Sequence, residues 1–227
     1  MKAADLETLN MLRAERKAAV VLTGLAAGET RIVREDEAID GDLGEHVSRT
    51  FRTGKSATVS IDGNEWFLNA HLPPPRVVVV GAVHISQALV PMAKLAGYDI
   101  EIVDPRTAFA TAERFPDVAV HAEWPEDVLK QRPLDAYCAL VAVTHDPKID
   151  DHPLQAAISA GCFYVGALGS RKTHGKRLDR LHASGLSQEE TCRIRAPIGL
   201  DIGASSPSEI AVAIMAEIIQ AFRTRGM

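Results

Sequence analysis

The chain is expected to be an α/β protein, a doubly wound parallel sheet preceded by a small α+β domain. Three observations predict this. Short apolar runs at 76–80, 99–103, 118–121, 137–143 and 162–166 alternate with stretches of helical periodicity, as strands buried on both faces and crossed over by helices require. The run "VVVV" ends in Gly81 and opens at once into such a helix. A triproline, Pro73 to Pro75, marks a stiff extended linker, because consecutive prolines cannot continue a helix or occupy a central strand. The expected domains are therefore 1–72 and 73–227.

In the first domain Leu6, Leu9 and Leu12, with Met11, recur at helical spacing behind Asp5, a candidate N-cap. "AAVVLTG" and "TRIVRE" read as strands, and Leu43, Val47 and Phe51 mark a second helix. Asp62-Gly63 joins two further strands as a hairpin. In the second domain a helix over 84–96 turns Ile85, Leu89, Met92 and Leu95/Ala96 to one face and closes at Gly97. Another runs from about 152 to 160 and ends at Gly161. A third begins near Arg171, and a capping box from Ser187 to Glu190 opens a fourth that holds Cys192. The last opens at Ser206-Pro207-Ser208-Glu209, a capping box with proline at the first helical position.

The 227 residues carry a net charge of −5, which argues against nucleic acid as a partner, since neutralising phosphates needs clustered Lys and Arg. Cys138, Cys162 and Cys192 are odd in number and show no CxxC spacing, which argues against a structural zinc site. Cys138 and Cys162 read as small buried hydrophobes. The charged start has no secretory apolar core, and no apolar run is long enough to span a bilayer. A cytoplasmic protein is expected.

Four segments carry candidate chemistry, each at the carboxyl end of a strand, where open α/β sheets place their ligands. The turn Gly81-Ala82-Val83-His84 is Rossmann-like, with Gly81 for the tight turn and amides free for an anion. Val83 stands where a dinucleotide-binding turn wants glycine, so a scaffold without nucleotide is weighed equally. Asp104 ends the second strand, 23 residues after Gly81, where a ribose-binding acid is expected. Arg106 follows it as a candidate phosphate clamp, with a salt bridge between the two as the plainer reading. Thr144, His145 and Asp146 are delivered to the same edge, to orient a ligand or simply to open a turn, with Asp150 and Asp151 capping the next helix. Gly169, Ser170, Arg171 and Lys172 combine a glycine turn, a helix start and two cations, a site suited to phosphate. Lys176, Arg177 and Arg180 beyond them read as a solvated helix surface.

The segments "LPPPRVVVVGAVHISQALVPMAKLAGYDIEIVDPR", "VAVTHDPKIDD", "FYVGALGSRKTHGKRLDRL" and "RIRAPIGLDIGASSPSEIAVAIMAEI" resemble the XdhC/CoxI family of molybdoenzyme maturation proteins. The resemblance implies a non-catalytic carrier. It would bind molybdenum cofactor (molybdopterin) and help load it into a xanthine dehydrogenase- or CO dehydrogenase-type apo-protein, alongside a cysteine desulfurase. The family usually has Gly-Ala-Gly-His at the turn, where this chain has Val83, and an N-terminal cysteine motif, where this chain has "IDGDLGEHV". Two alternatives use the same crevice: an NAD(P)-dependent oxidoreductase, and a scaffold that docks on a partner without binding a ligand. Self-association as a homodimer is the default for such a fold.

Overall fold

A computed structural model describes residues 2–225. The chain forms two compact units, one reaching to Pro73 and including the residues from Arg223, the other running from Pro74 to Phe222. In the first, α1 (Ala3–Ala14) is followed by β1 (Ala19–Gly24), β2 (Thr30–Arg34), α2 (Gly41–Thr53), β3 (Ala57–Ile61) and β4 (Asn64–His71). The strands make an antiparallel sheet in the order β2-β1-β4-β3. Asp5 is not the cap of α1; it lies in the first turn, where its carboxylate accepts the Lys2 N–H at 2.7 Å. Leu9 and Leu12 are buried with Ala19 and Val21, while Leu6 and Met11 face solvent. On α2, Val47 and Phe51 are buried as their spacing predicts. Gly44 there packs so closely that a Cβ would lie 1.8 Å from the Ile39 carbonyl oxygen.

The second unit contains β5 (Arg76–Val80), α3 (His84–Leu95), β6 (Asp99–Val103), β7 (Ala119–His121), α4 (Pro125–Gln131) and β8 (Cys138–Ala142). It continues through α5 (Pro147–Ser159), β9 (Tyr164–Ala167), α6 (Arg171–Ala183), α7 (Gln188–Thr191), β10 (Ile194–Arg195) and α8 (Pro207–Thr224). The sheet order is β10-β9-β8-β5-β6-β7, with every pairing parallel. The chain moves outward from β5 to β7, then returns to place β8 beside β5 and moves outward the other way. The connections therefore part at the carboxyl ends of β5 and β8, which opens the crevice of a doubly wound sheet there.

Every residue of β5 and β8 is buried. Their alternate side chains feed two apolar clusters, one holding Leu89, Ile214 and Ile218, the other Leu154 and Leu181. This two-sided burial explains why the strands read as unbroken apolar runs.

Several local expectations need correction. The helix expected from 152 begins at Pro147, with Asp146 as N-cap accepting the Lys148 N–H at 2.9 Å. Pro147 fits the first helical position, whose N–H has no helical partner to lose, and Pro153 lies inside the helix. Asp150 is thus a buried first-turn residue and not a cap. Leu95 is 91% exposed and off the buried face of α3. Cys192 closes α7 as an exposed C-cap. The Ser206–Glu209 capping box is formed: Glu209 accepts the Ser205 and Ser206 amides, each at 2.9 Å. Among the described residues no helix is long and apolar enough to cross a membrane.

Candidate functional site

The β5–α3 turn requires glycine. Gly81 adopts φ +125°, and a Cβ there would press within 3.0 Å of Thr144 and 3.1 Å of Val143. The Ala82 amide, which in a dinucleotide site would be free for an anion, donates instead to Asp104 Oδ2 at 2.7 Å. Val83 is the N-cap of α3 and packs half-buried against the apolar core, while His84 is exposed. Ser86 donates to the Gly81 carbonyl at 2.5 Å and so ties the first turn of α3 back onto the loop.

Asp104 is fully buried. Its two oxygens also accept the Arg106 N–H and Nε at 2.9 Å each and Nη2 at 2.7 Å. Burial alone would push this carboxyl up; the Arg106 guanidinium and the Ala82 amide outweigh it and hold the group below its ordinary value. Four donors use the capacity of one carboxylate. Asp104 has no site left for a ribose hydroxyl, and the fork of Arg106 is committed to it. The plainer reading, an internal salt bridge, is what forms, and it locks the turn.

The opposite side of the crevice is different. Thr144, after β8, donates to Asp150 Oδ1 at 2.6 Å and accepts the Asp146 N–H at 3.1 Å. His145 between them has φ +65° and an exposed ring. A left-handed histidine is uncommon and costs energy, and such strain concentrates at functional sites. Asp150 is 1% exposed and its Oδ2 finds no hydrogen-bond partner among the described residues. Burial pushes its carboxyl up to about 6, opposed by the Thr144 hydroxyl, the Arg177 charge and the nearby Thr144 and His145 backbone amides.

After β9, Gly169 takes φ +139°, and Ser170 caps α6 by accepting the Thr173 N–H at 3.2 Å. Arg171 and Lys172 are exposed in the first turn. Two turns on, Arg177 corrects the reading of this face as solvated. It is 2% exposed and donates through Nη2 to the Leu168 carbonyl at 2.8 Å. Its Nε and Nη1 have no partner among the described residues. Burial pulls its pKa down, against the Asp150 and Asp151 charges that raise it. A buried guanidinium with two unused donors is costly. Arg180 behaves otherwise, pairing through Nε and Nη2 with Asp151 at 2.6 and 3.0 Å.

Part of this set lines a cavity of about 360 Å³ between α5 and α6; Thr144, Asp146, Gly169, Ser170 and Arg171 are not among its lining residues. His145 and Lys172 of the expected site reach it, together with Asp150, Lys176 and Arg177. The Gly81 turn, Asp104 and Arg106 are not among its lining residues. A second cavity of about 440 Å³ flanks the same β9–α6 turn, with Leu168 and Arg171 against the loop from Pro197 to Ala204. It is mostly apolar, built by Ile198, Leu200, Ile202 and Ile210. Sequence reasoning does not single out Asp150, Arg177 or this loop as site residues. The one available signal for Arg177 is its i,i+4 spacing to Leu181, which is fully buried on the same helix face.

Cys138 and Cys162 are buried and their thiols are pushed up by burial, Cys138 to about 11, which makes them inert. Among the described residues no group of three or more His, Cys, Asp or Glu is placed to hold a metal.

Comparison with known proteins meets this architecture. Residues 77–218 match the model of the XdhC Rossmann domain. The chain is 34% identical over 146 residues to the molybdenum cofactor insertion chaperone PaoD of Escherichia coli (strain K12), covering 64% of this chain and 40% of that protein. It is 31% identical over 156 residues to a Bacillus subtilis (strain 168) protein named as a probable xanthine dehydrogenase component, covering 68% and 45%. With the Escherichia coli protein YqeB the figures are 32% over 179 residues, 76% and 32%. The chain thus spans between about a third and a half of the length of these relatives. A crystal structure of a xanthine dehydrogenase from Bacillus halodurans shares the fold, with a TM-score of 0.65 at 21% identity, covering 99% of this chain and 65% of that one. With more than half of its length matched by that domain model, the chain belongs to the XdhC family.

Proposed function

We propose that the chain is an accessory protein of molybdoenzyme maturation. It seats molybdenum cofactor at the carboxyl edge of the parallel sheet and assists its insertion into a xanthine dehydrogenase- or CO dehydrogenase-type apo-protein. The observation that carries this reading is Arg177, buried in a cation-rich cavity with Nε and Nη1 unused. A phosphate supplies the acceptors that these donors lack. Arg177, Lys172 and the free amides at the start of α6 would hold the phosphorylated end of the pterin. Ser170 and Gly169 shape that turn, and His145 meets the ligand from the α5 side, with Thr144 and Asp146 fixing the loop that carries it. Relatives named for cofactor insertion and for xanthine dehydrogenase point the same way.

The residues do not fit a dinucleotide at the glycine turn, because Asp104 and the Ala82 amide satisfy each other. An NAD(P)-dependent oxidoreductase therefore has no support in the site. A cysteine desulfurase as sulfur donor belongs to the proposal through the family resemblance, a cytoplasmic setting through the cysteine usage, and a homodimer as the default for such a fold.

The test is retention. Purified chain is mixed with released molybdenum cofactor, passed over gel filtration, and assayed for molybdenum and pterin in the protein peak. Wild type should carry both, and an Arg171→Ala, Lys172→Ala double variant should lose them. A ligand-free scaffold would carry neither, yet dock on the apo-protein equally well in both forms.

A further inference from the structure

The second cavity, of about 440 Å³, lies against the same β9–α6 turn as the phosphate seat proposed above. Leu168 lines it, while the Leu168 carbonyl accepts from Arg177, which lines the first cavity. Arg171 likewise lines the second and its neighbour Lys172 the first. The loop from Pro197 to Ala204, which completes the slot, is held in place. Its Gly199 amide donates to Glu217 Oε2 at 2.8 Å, the oxygen that also accepts the Tyr164 hydroxyl at 2.6 Å. The Leu200 amide donates to the Ala213 carbonyl at 3.2 Å. Gly199 has φ +91°, and a Cβ there would lie 3.0 Å from the Ala213 Cβ, so the loop is pressed onto α8. The slot is therefore preformed, and its volume is usual for a small-molecule site.

Leu168, Ile198, Leu200, Ile202 and Ile210 give the slot aliphatic walls, and Ile202 leaves 56% of its surface exposed. The ionisable residues of the lining are Arg171 and Asp201, opposite in charge and both exposed. Among the described residues neither side chain makes a hydrogen bond or ion pair, with the other or with a third group. A purely aliphatic guest would strip water from both and return nothing. A flat heteroaromatic ring suits the lining better, because its faces are apolar and its edge carries donors and acceptors. The two oxygens of a carboxylate match two parallel N–H donors, and an aminopyrimidinone presents that pair beside a carbonyl.

We propose that this slot is a ring subsite for a fused aminopyrimidinone, the pterin ring of the cargo. The aliphatic side chains cover its faces, Asp201 accepts the paired N–H groups of its edge, and Arg171 donates to the adjacent carbonyl. The inference rests on the cofactor seat proposed above and adds where the ring end lies, across the β9–α6 turn from the phosphate. Guanine carries the same edge, so the probes must separate the two rings.

The experiment is equilibrium dialysis of the full chain against free pterin, lumazine and guanosine near neutral pH. Lumazine has a carbonyl in place of the pterin amino group, so it offers Asp201 one donor and one repelling oxygen. Wild type should bind pterin about tenfold more tightly than lumazine, the loss of one hydrogen bond to a charged group, and more tightly than guanosine. In Asp201→Asn the side-chain amide accepts one N–H and donates to the lumazine carbonyl, so lumazine should become the preferred ligand. A residue that merely shaped the loop would not exchange the two preferences. Equal wild-type affinities for pterin and lumazine, or a folded variant that keeps the wild-type order, would overturn the inference. Guanosine bound more tightly than pterin would overturn the assignment to a pterin. If the variant does not fold, the wild-type ratios decide the matter alone. Failure to distinguish pterin from lumazine in a chain that retains molybdenum cofactor sinks this inference and leaves the proposed function standing. Selection of pterin by a chain that does not retain the cofactor does the reverse.

Discussion

Replacing Asp150 by asparagine tests the buried carboxyl without any ligand. In the folded protein burial raises this group from 3.8 to about 6, because the charged form loses hydration that Thr144 and Arg177 only partly replace. Below pH 4 the carboxyl is protonated in both folded and unfolded chains and contributes nothing to their difference. As pH rises from 4 to 6 the unfolded chain ionises first, and the folded state is penalised increasingly until both have ionised. A gap of that size corresponds to about 3 kcal/mol. The asparagine variant escapes it, while its own costs, such as an unpartnered amide, do not change with pH. Urea unfolding of both proteins from pH 4 to 8 should therefore show the variant gaining about 3 kcal/mol on wild type over that range, with the change complete by about pH 7. A difference that stays flat with pH would refute the claim that this carboxyl is held in a costly, desolvated position.

Other substitutions probe other parts of the account. Gly44→Ala places a Cβ where the Ile39 carbonyl already lies and should cost about 3 kcal/mol, read as a lowered melting temperature. His145→Gly relieves a left-handed backbone and should stabilise the protein by about 1 kcal/mol in urea unfolding; no gain would mean that the φ value carries no strain. Arg106→Ala removes both side-chain donors to Asp104 and keeps the two backbone ones. The buried carboxylate, stripped of its counter-charge, should then destabilise the fold by about 3 kcal/mol, measured by the same method.

The sheet was legible because its chemistry is uniform. β5 and β8 are buried on both faces, so their sequences are apolar throughout, and glycines or capping boxes punctuate the helices between them. The start of α5 was hidden by Pro147 and Pro153, which look like loop residues until one is placed at the first helical position. β10, two residues long, leaves no periodicity to read. At the site, strand ends identify Asp104, Arg106 and Thr144 as neighbours of the crevice, but not which of them satisfy one another. That depends on distances set by the fold, and Asp104 and Arg106 prove to be each other's partners. Arg177 escapes notice because a cation on a basic helix ordinarily faces water. Its burial follows from the Leu168 carbonyl that accepts from it and from Leu181 one turn further on.

The most direct test of the central claim is the affinity of the isolated chain for molybdenum cofactor, compared between wild type and Arg177→Met. Methionine keeps much of the buried volume and removes the two unused donors, so thermal melting shows whether the fold survives. The account expects saturable binding in wild type that weakens by about a hundredfold in the folded variant, the loss of a buried charge-assisted bidentate contact. Equal affinity in the two proteins would contradict it, because the ligand would then be held somewhere other than against Arg177.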